Sequence, residues 1–96
     1  MMLARVVGNV VSSRKADKLT GTKLLIVEPV DFASQKSDGK PLVAIDSVGA
    51  GEGEIVLVVQ GSSARLTDTT KETPVDATIM AIVDFIELSG KRTFAK

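Results

Sequence analysis

The chain has 96 residues, of which 44% are hydrophobic, and it carries 12 basic against 12 acidic side chains. This length fits one domain with a real core, and the balanced charge leaves no long-range field to attract nucleic acid or anionic lipid. Because the sequence has no Cys and no His, it lacks the thiol nucleophile, the usual general base and most transition-metal ligands. We therefore expect no catalytic residues, no cofactor and no metal site.

Five stretches rich in β-branched residues predict strands over residues 2–12, 23–32, 41–48, 54–60 and 79–88. The connections between the first three contain polar turn residues, including Ser37-Asp38-Gly39. Short strands with such turns predict an all-β fold, a small five-stranded barrel that leaves few exposed strand edges. We expect a single domain over residues 1–96, with an extended C-terminal tail within residues 89–96.

Two short helical turns are predicted, over residues 62–66 and 75–77. In the first, Ser62 or Ser63 can accept a hydrogen bond from a free backbone N–H at the helix start. In the second, Pro74 suits the first helical position. The apolar spacing after the second turn fits a helix or a buried strand, and its β-branched residues favour the strand.

Two of the predicted strands are apolar on both faces. Residues 24–27 and 55–59 are consecutive aliphatic residues, whereas a strand with one face in water alternates. A single small barrel buries only the inward face of its strands, so part of the outer face is expected to meet another subunit. The alternative is that loops and a short helix of the same chain cover these positions.

Residues 46–54 read DSVGAGEGE, with glycine at every second position in the middle. Glycine serves where φ must be positive or where another backbone comes close. A phosphate-binding loop would lead into a helix or would contain Lys before Ser or Thr, but here Glu52 and Glu54 add negative charge and a strand follows. A tight turn and a close approach between copies of this loop both remain open.

The residues present also bear on two other classes of function, nucleic-acid binding and enzyme catalysis. A barrel that binds single-stranded nucleic acid needs a basic groove and aromatic platforms, but the aromatic residues are only Phe32, Phe85 and Phe94. An enzyme could use paired carboxylates, and Asp46 and Glu52 are close in sequence, although no motif supports this. The nucleic-acid-binding barrel is the alternative to the interpretation that follows.

Four phrases, in this order and spacing, resemble the vertex proteins of bacterial microcompartments: MLARVVGNVVSS (2–13), KLLIVEPVDF (23–32), DSVGAGEGEIVLVVQGSSAR (46–65) and PVDATIMAIVDFIEL (74–88). These are small shell proteins of carboxysomes and of ethanolamine-type organelles, and the resemblance covers nearly the whole chain. It implies a barrel similar to the oligonucleotide-binding fold, assembled as a homopentamer that closes the corners of a polyhedral shell. It also implies hexameric shell proteins as partners in the bacterial cytoplasm, with no nucleic acid and no membrane.

The resemblance further implies which residues lie near the five-fold axis or between subunits. Those residues are Gly49, Ala50, Gly51, Glu52, Gly53, Glu54, Gly61, Ser62, Ser63 and Arg65. Pro74, Asp76 and Asp84 belong to the last phrase and are expected to serve the fold or the interface. Copies of a loop without Cβ atoms can approach closely, and exposed N–H groups there could line a narrow opening. Lys91, Arg92 and the tail to Lys96 are candidates for the contact with hexameric tiles.

Overall fold

A computed structural model describes residues 1–12, 21–61 and 76–96 of the chain. Within these residues the strands are β1 (Met2–Val10), β2 (Lys23–Pro29), β3 (Leu42–Asp46), β4 (Ile55–Gln60), β5 (Ala77–Ile82), β6 (Phe85–Leu88) and β7 (Lys91–Ala95). The same ranges contain no α-helix, and hence no helix long and apolar enough to cross a membrane. The predicted all-β class is confirmed.

The first five strands close into a barrel in the order β1-β2-β3-β5-β4. β1 closes the ring because it pairs antiparallel with both β2 and β4, with Val6 opposite Val27 and Ala4 opposite Val56. β3 and β5 pair in parallel, and the connection between them contains β4. This is the five-stranded barrel, similar to the oligonucleotide-binding fold, that the sequence predicts. Closure gives each strand a neighbour on both sides, although β3 meets β5 only through Ile45 and Asp46.

Alternate residues of the five strands fill the barrel. Its interior cluster consists of Ala4, Val6, Leu25, Val27, Ala44, Ala50, Val56, Val58, Ala77 and Ile79. Most of these side chains are Ala or Val, as suits the narrow interior of a small barrel. Ala50 comes from the loop between β3 and β4 and is 0% exposed, so this loop closes one end of the core.

The outer face of β4 is covered by the same chain. The hairpin of β6 and β7 lies over it, and Ile86 of β6 packs with Leu3 and Ile55 in a second apolar cluster that Phe94 adjoins. Ile55 is only 1% exposed as a result. Cover from within the chain, the alternative, therefore accounts for Ile55, whereas Leu57 on the same face is only partly buried. The covering element is a β-hairpin, and not the loops and short helix that the alternative predicted.

The predicted strand over 79–88 is wrong at both ends. β5 begins at Ala77, where the sequence predicts a helical turn, and stops at Ile82 before the hairpin strand β6. The chain stays bonded to β4 for one more residue, since Val83 N–H donates to the Ile55 carbonyl at 2.8 Å, and it leaves the barrel at Asp84. The other predicted strands are confirmed with shorter ends. The helical turn predicted over 62–66 lies outside the described residues.

Candidate functional site

The glycine loop, defined as residues 46–54, joins β3 to β4 at one end of the barrel. Ala50 points into the core, whereas Gly49, Glu52 and Gly53 are exposed. Val48, within the loop, is also largely exposed for an apolar side chain. The loop thus closes the core with one residue and presents small, acidic and apolar groups at the surface.

The first half of the loop is held by Asp46. One oxygen of this carboxylate accepts hydrogen bonds from the N–H groups of Val48 at 3.0 Å and Gly49 at 3.1 Å. The other oxygen lies 4.0 Å from Lys23 Nζ, which also donates to the Ala50 carbonyl at 2.9 Å. Because the Asp46 side chain is only 3% exposed and bound on both oxygens, we assign it a structural role.

The second half of the loop is held by Glu54. Its Oε1 accepts the Gly51 N–H at 2.7 Å, and its Oε2 lies 2.6 Å from Lys96 Nζ at the end of the C-terminal hairpin. The hydrogen bond from Lys96, followed by that from Gly51, lowers the pKa of Glu54 below its ordinary value. The same contact raises the pKa of Lys96. Glu54 therefore stays ionised and links the loop to the hairpin.

The N–H groups of the three loop glycines all donate within the chain. Gly49 donates to Asp46, Gly51 donates to Glu54, and Gly53 donates to the Val6 carbonyl at 2.8 Å. An anion-binding loop needs such groups free to converge on a ligand. The expectation that these N–H groups line an opening is therefore wrong for all three. Within the described residues, no group of three or more acidic side chains could hold a metal ion either.

The reason for glycine differs between the three positions. Gly49 and Gly53 have φ values of 80° and 89°, in the left-handed region that favours glycine. Gly51 has no positive φ, and a Cβ there would meet only Glu54 Oε1, at an ordinary contact distance of 3.4 Å. The chain itself thus explains two of the glycines, but not Gly51.

The structure places the other predicted site residues apart from the glycine loop, or outside the described residues. Gly61 follows β4 with a φ of 69°, and its N–H donates to the Asp76 carbonyl at 2.8 Å. Asp84 lies at the base of the hairpin, where its carbonyl accepts the Lys96 N–H. The residues Ser62, Ser63, Arg65 and Pro74 lie outside the described ranges.

The three phenylalanines do not form a base-stacking groove. Phe94 packs beneath the hairpin, and Phe85 lies on the opposite face of it, 4.4 Å below the Arg92 guanidinium. Phe32 lies in a separate loop, where its carbonyl accepts a hydrogen bond from the Thr93 hydroxyl. A platform for successive bases needs aromatic faces aligned along one basic groove.

The family model described as "Ethanolamine utilisation protein EutN/carboxysome" matches residues 1–84 of the chain. The chain belongs to the EutN/CcmL family. Its sequence is 46% identical over 96 residues to the "Bacterial microcompartment shell vertex protein EutN" of Salmonella typhimurium, a match that covers 100% of this chain and 96% of that relative. The resemblance to microcompartment vertex proteins is thereby confirmed.

Solved structures of EutN/CcmL proteins share the fold. The CcmL of Nostoc sp. PCC 7120 is similar with a TM-score of 0.93 and 41% identity, over 100% of both chains. A protein of Rhodospirillum rubrum described as the "GrpN pentameric microcompartment shell protein" is similar with a TM-score of 0.82 and 44% identity, over 92% of this chain and 99% of that one. At these identities the likeness extends beyond the fold to the sequence.

Proposed function

We propose that this chain is a structural shell protein that forms a cyclic homopentamer and caps the vertices of a bacterial microcompartment in the cytoplasm. The observation that carries the proposal is the full-length similarity to proteins named shell vertex proteins, one of them described as pentameric. The chain has no catalytic role in this account. Its partners are four further copies of itself and the hexameric shell proteins around it.

The geometry of a closed shell supports the five-fold state. A flat sheet of six-fold tiles cannot close on itself, so five-fold units must replace six-fold ones where facets meet. In a cyclic ring each subunit uses two different surfaces, one for each neighbour. Among the described residues, an exposed apolar surface outside the hairpin is suited to one of these two contacts.

That surface is the outer face of β2 and β3 together with the neighbouring Gly8 of β1. It is here called the β2–β3 face and consists of Gly8, Ile26 and Val43. These residues stand side by side, because Gly8 pairs with Ile26 and Ile26 pairs with Val43. Ile26 is half-buried and Val43 is 47% exposed, in contrast to the outer face of β4 beneath the hairpin. An apolar sheet face that the described residues leave open favours burial against a second copy.

The glycine loop is the proposed contact nearest the five-fold axis. Gly51 supports this assignment, since neither its φ nor its intrachain neighbours require glycine. Close approach by the backbone of another copy would require it. Glu52 and Gly53 at the exposed tip belong to the same proposed contact. Of the residues outside the described ranges, Ser62, Ser63 and Arg65 remain proposed contributors to it.

The nucleic-acid-binding alternative is disfavoured. The barrel has the required shape, but the chain has no net positive charge and its three aromatic side chains are dispersed. Binding of a single-stranded oligonucleotide that weakens with salt would be the sign of that function.

Shell closure tests the proposal. The chain is co-expressed with the hexameric tile proteins of a microcompartment from which the native vertex protein has been deleted, and the products are imaged by electron microscopy. We expect closed polyhedral shells with this chain and open or tubular assemblies without it. Tiles that close with their native vertex protein but never with this chain would contradict the proposal.

A further inference from the structure

The C-terminal hairpin reaches the glycine loop through one side chain. Lys96 follows β7, and its backbone N–H donates to the Asp84 carbonyl at 2.8 Å, which holds it at the base of the hairpin. From there its Nζ contacts Glu54 Oε2 at 2.6 Å. The other oxygen of Glu54 binds the Gly51 N–H at 2.7 Å. An unbroken chain of polar contacts thus runs from the hairpin base to Gly51.

We propose that Lys96 is a positioning residue for the glycine loop: through Glu54 it holds the Gly51 backbone in the conformation that the contact between subunits requires. This inference rests on the proposed function, because it assigns the loop to that contact. Lys96 touches no neighbouring subunit in this account. It acts on Gly51 only through the carboxylate between them.

Each oxygen of Glu54 has its own donor, and this division gives Lys96 its role. A carboxylate bound on one oxygen only can rotate about its terminal torsion, because that torsion has a broad minimum. Lys23 acts on Glu54 through its charge, whereas its ammonium group donates to the Ala50 carbonyl and faces Asp46. Without Lys96, Glu54 is free to turn toward water and release the Gly51 N–H.

The expected effect is local. The Lys96 side chain is 52% exposed, and exposed ion pairs contribute little to overall stability. Loss of the pair is therefore expected to change the order of the loop far more than the melting temperature of the subunit. This separation distinguishes a positioning role from a general contribution to the fold.

The test compares Lys96→Met with Lys96→Arg and with a matched control, Arg92→Met. Arg92 lies on the same hairpin, its side chain is 55% exposed against 52% for Lys96, and it pairs with Glu87 of β6 instead of Glu54. Amide hydrogen exchange at Gly51 is followed by NMR on dilute subunits, and ring dissociation is followed by sedimentation. In Lys96→Met we expect Gly51 to exchange about two- to fivefold faster and the ring to dissociate at a several-fold higher concentration. Lys96→Arg is expected to restore both, and Arg92→Met to change neither.

Unchanged Gly51 exchange in Lys96→Met would overturn the inference, as would faster exchange with an unchanged ring. Equal effects of Lys96→Met and Arg92→Met would also overturn it, because the effect would then be a general loss of charge on the hairpin. A wild-type chain that forms no ring would refute the proposed function instead, and Gly51 exchange would still decide whether Lys96 holds the loop.

Discussion

Ile26 packs directly against Gly8 on the outside of the barrel, with its Cδ1 atom 3.5 Å from the position that a Gly8 Cβ would occupy. Because β1 carries no side chain at Gly8, another surface can approach the Ile26 side chain there, and Ile26 stands beside Val43 of β3. An apolar face of this kind is suited to the close packing of a subunit contact.

Substitution of Val43 by Glu is expected to break the ring while the subunit stays folded. Val43 is 47% exposed in the subunit, so a charge there stays in water in the monomer but would be buried without a partner in the proposed contact. Leu88→Glu is the matched control, because Leu88 is 44% exposed at the far end of the hairpin. Sedimentation should show monomers for Val43→Glu and rings for Leu88→Glu. Intact rings from Val43→Glu would remove the β2–β3 face from the contact.

Gly51→Ala and Gly49→Ala are expected to act in opposite ways. At Gly51 the added methyl group meets only Glu54 Oε1, at 3.4 Å, and fits the backbone, so the subunit should keep its stability or gain up to about 1 kcal/mol, but lose the ring. At Gly49 the positive φ makes alanine cost about 1–2 kcal/mol in the subunit itself. Denaturant unfolding of dilute subunits separates the two effects from ring formation. A Gly51→Ala or Gly51→Val protein that assembles like the wild type would show that close approach does not explain this glycine.

Ile86 is expected to anchor the hairpin to the barrel. It is 9% exposed and packs on Leu3 and Ile55, so Ile86→Ala should destabilise the subunit by about 2–4 kcal/mol. Leu88→Ala, on an exposed position of the same strand, should stay within about 0.5 kcal/mol of wild type. Urea unfolding measures both. Equal effects would mean that the hairpin does not cover the β4 face in solution.

The contact between Glu54 and Lys96 should depend on pH in a defined direction. The pKa of Glu54 is lowered from its ordinary value of 4.5, so the contact contributes fully above that pH and is lost as the pH falls through the lowered value. The pKa of Lys96 is raised from 10.5, so the contact is also lost as the pH rises through that raised value. NMR titration of the Glu54 carboxyl carbon should show a midpoint below 4.5 that moves up in Lys96→Met. The same midpoint in both proteins would contradict the assignment.

The sequence predicts the barrel well because its signals there are local. Stretches rich in β-branched residues, bounded by polar turns, place four of the five barrel strands. The fifth was extended into β6, since nothing in ATIMAIVDFIEL marks the point where Val83 bonds to Ile55 and the chain leaves the barrel. β7 was missed although its signal is local: Ser89 and Gly90, with φ values of 53° and 80°, form the two-residue turn between β6 and β7. The Ser-Gly pair at this turn is the signal that could have located the hairpin.

The candidate site was predicted only in part, because its contacts join residues that are far apart in the sequence. The alternating glycines locate the loop, but the residues that hold it come from distant positions. Lys23 faces Asp46 only through the register of β2 with β3, and Lys96 reaches Glu54 across 42 residues of sequence. Lysine is a common surface residue, and neither of these two lysines belongs to a recognisable sequence motif. Their partners become visible only when the fold brings the strands together.

The mass of the assembled particle tests the central claim most directly. Native mass spectrometry of the wild-type chain, whose subunit mass is 10.1 kDa, should show a particle of five chains that persists on dilution until the ring dissociates into monomers. In the proposed ring, the β2–β3 face and the glycine loop are the contacts between subunits. A stable monomer at high concentration, or a closed particle of any number of chains other than five, would contradict the account.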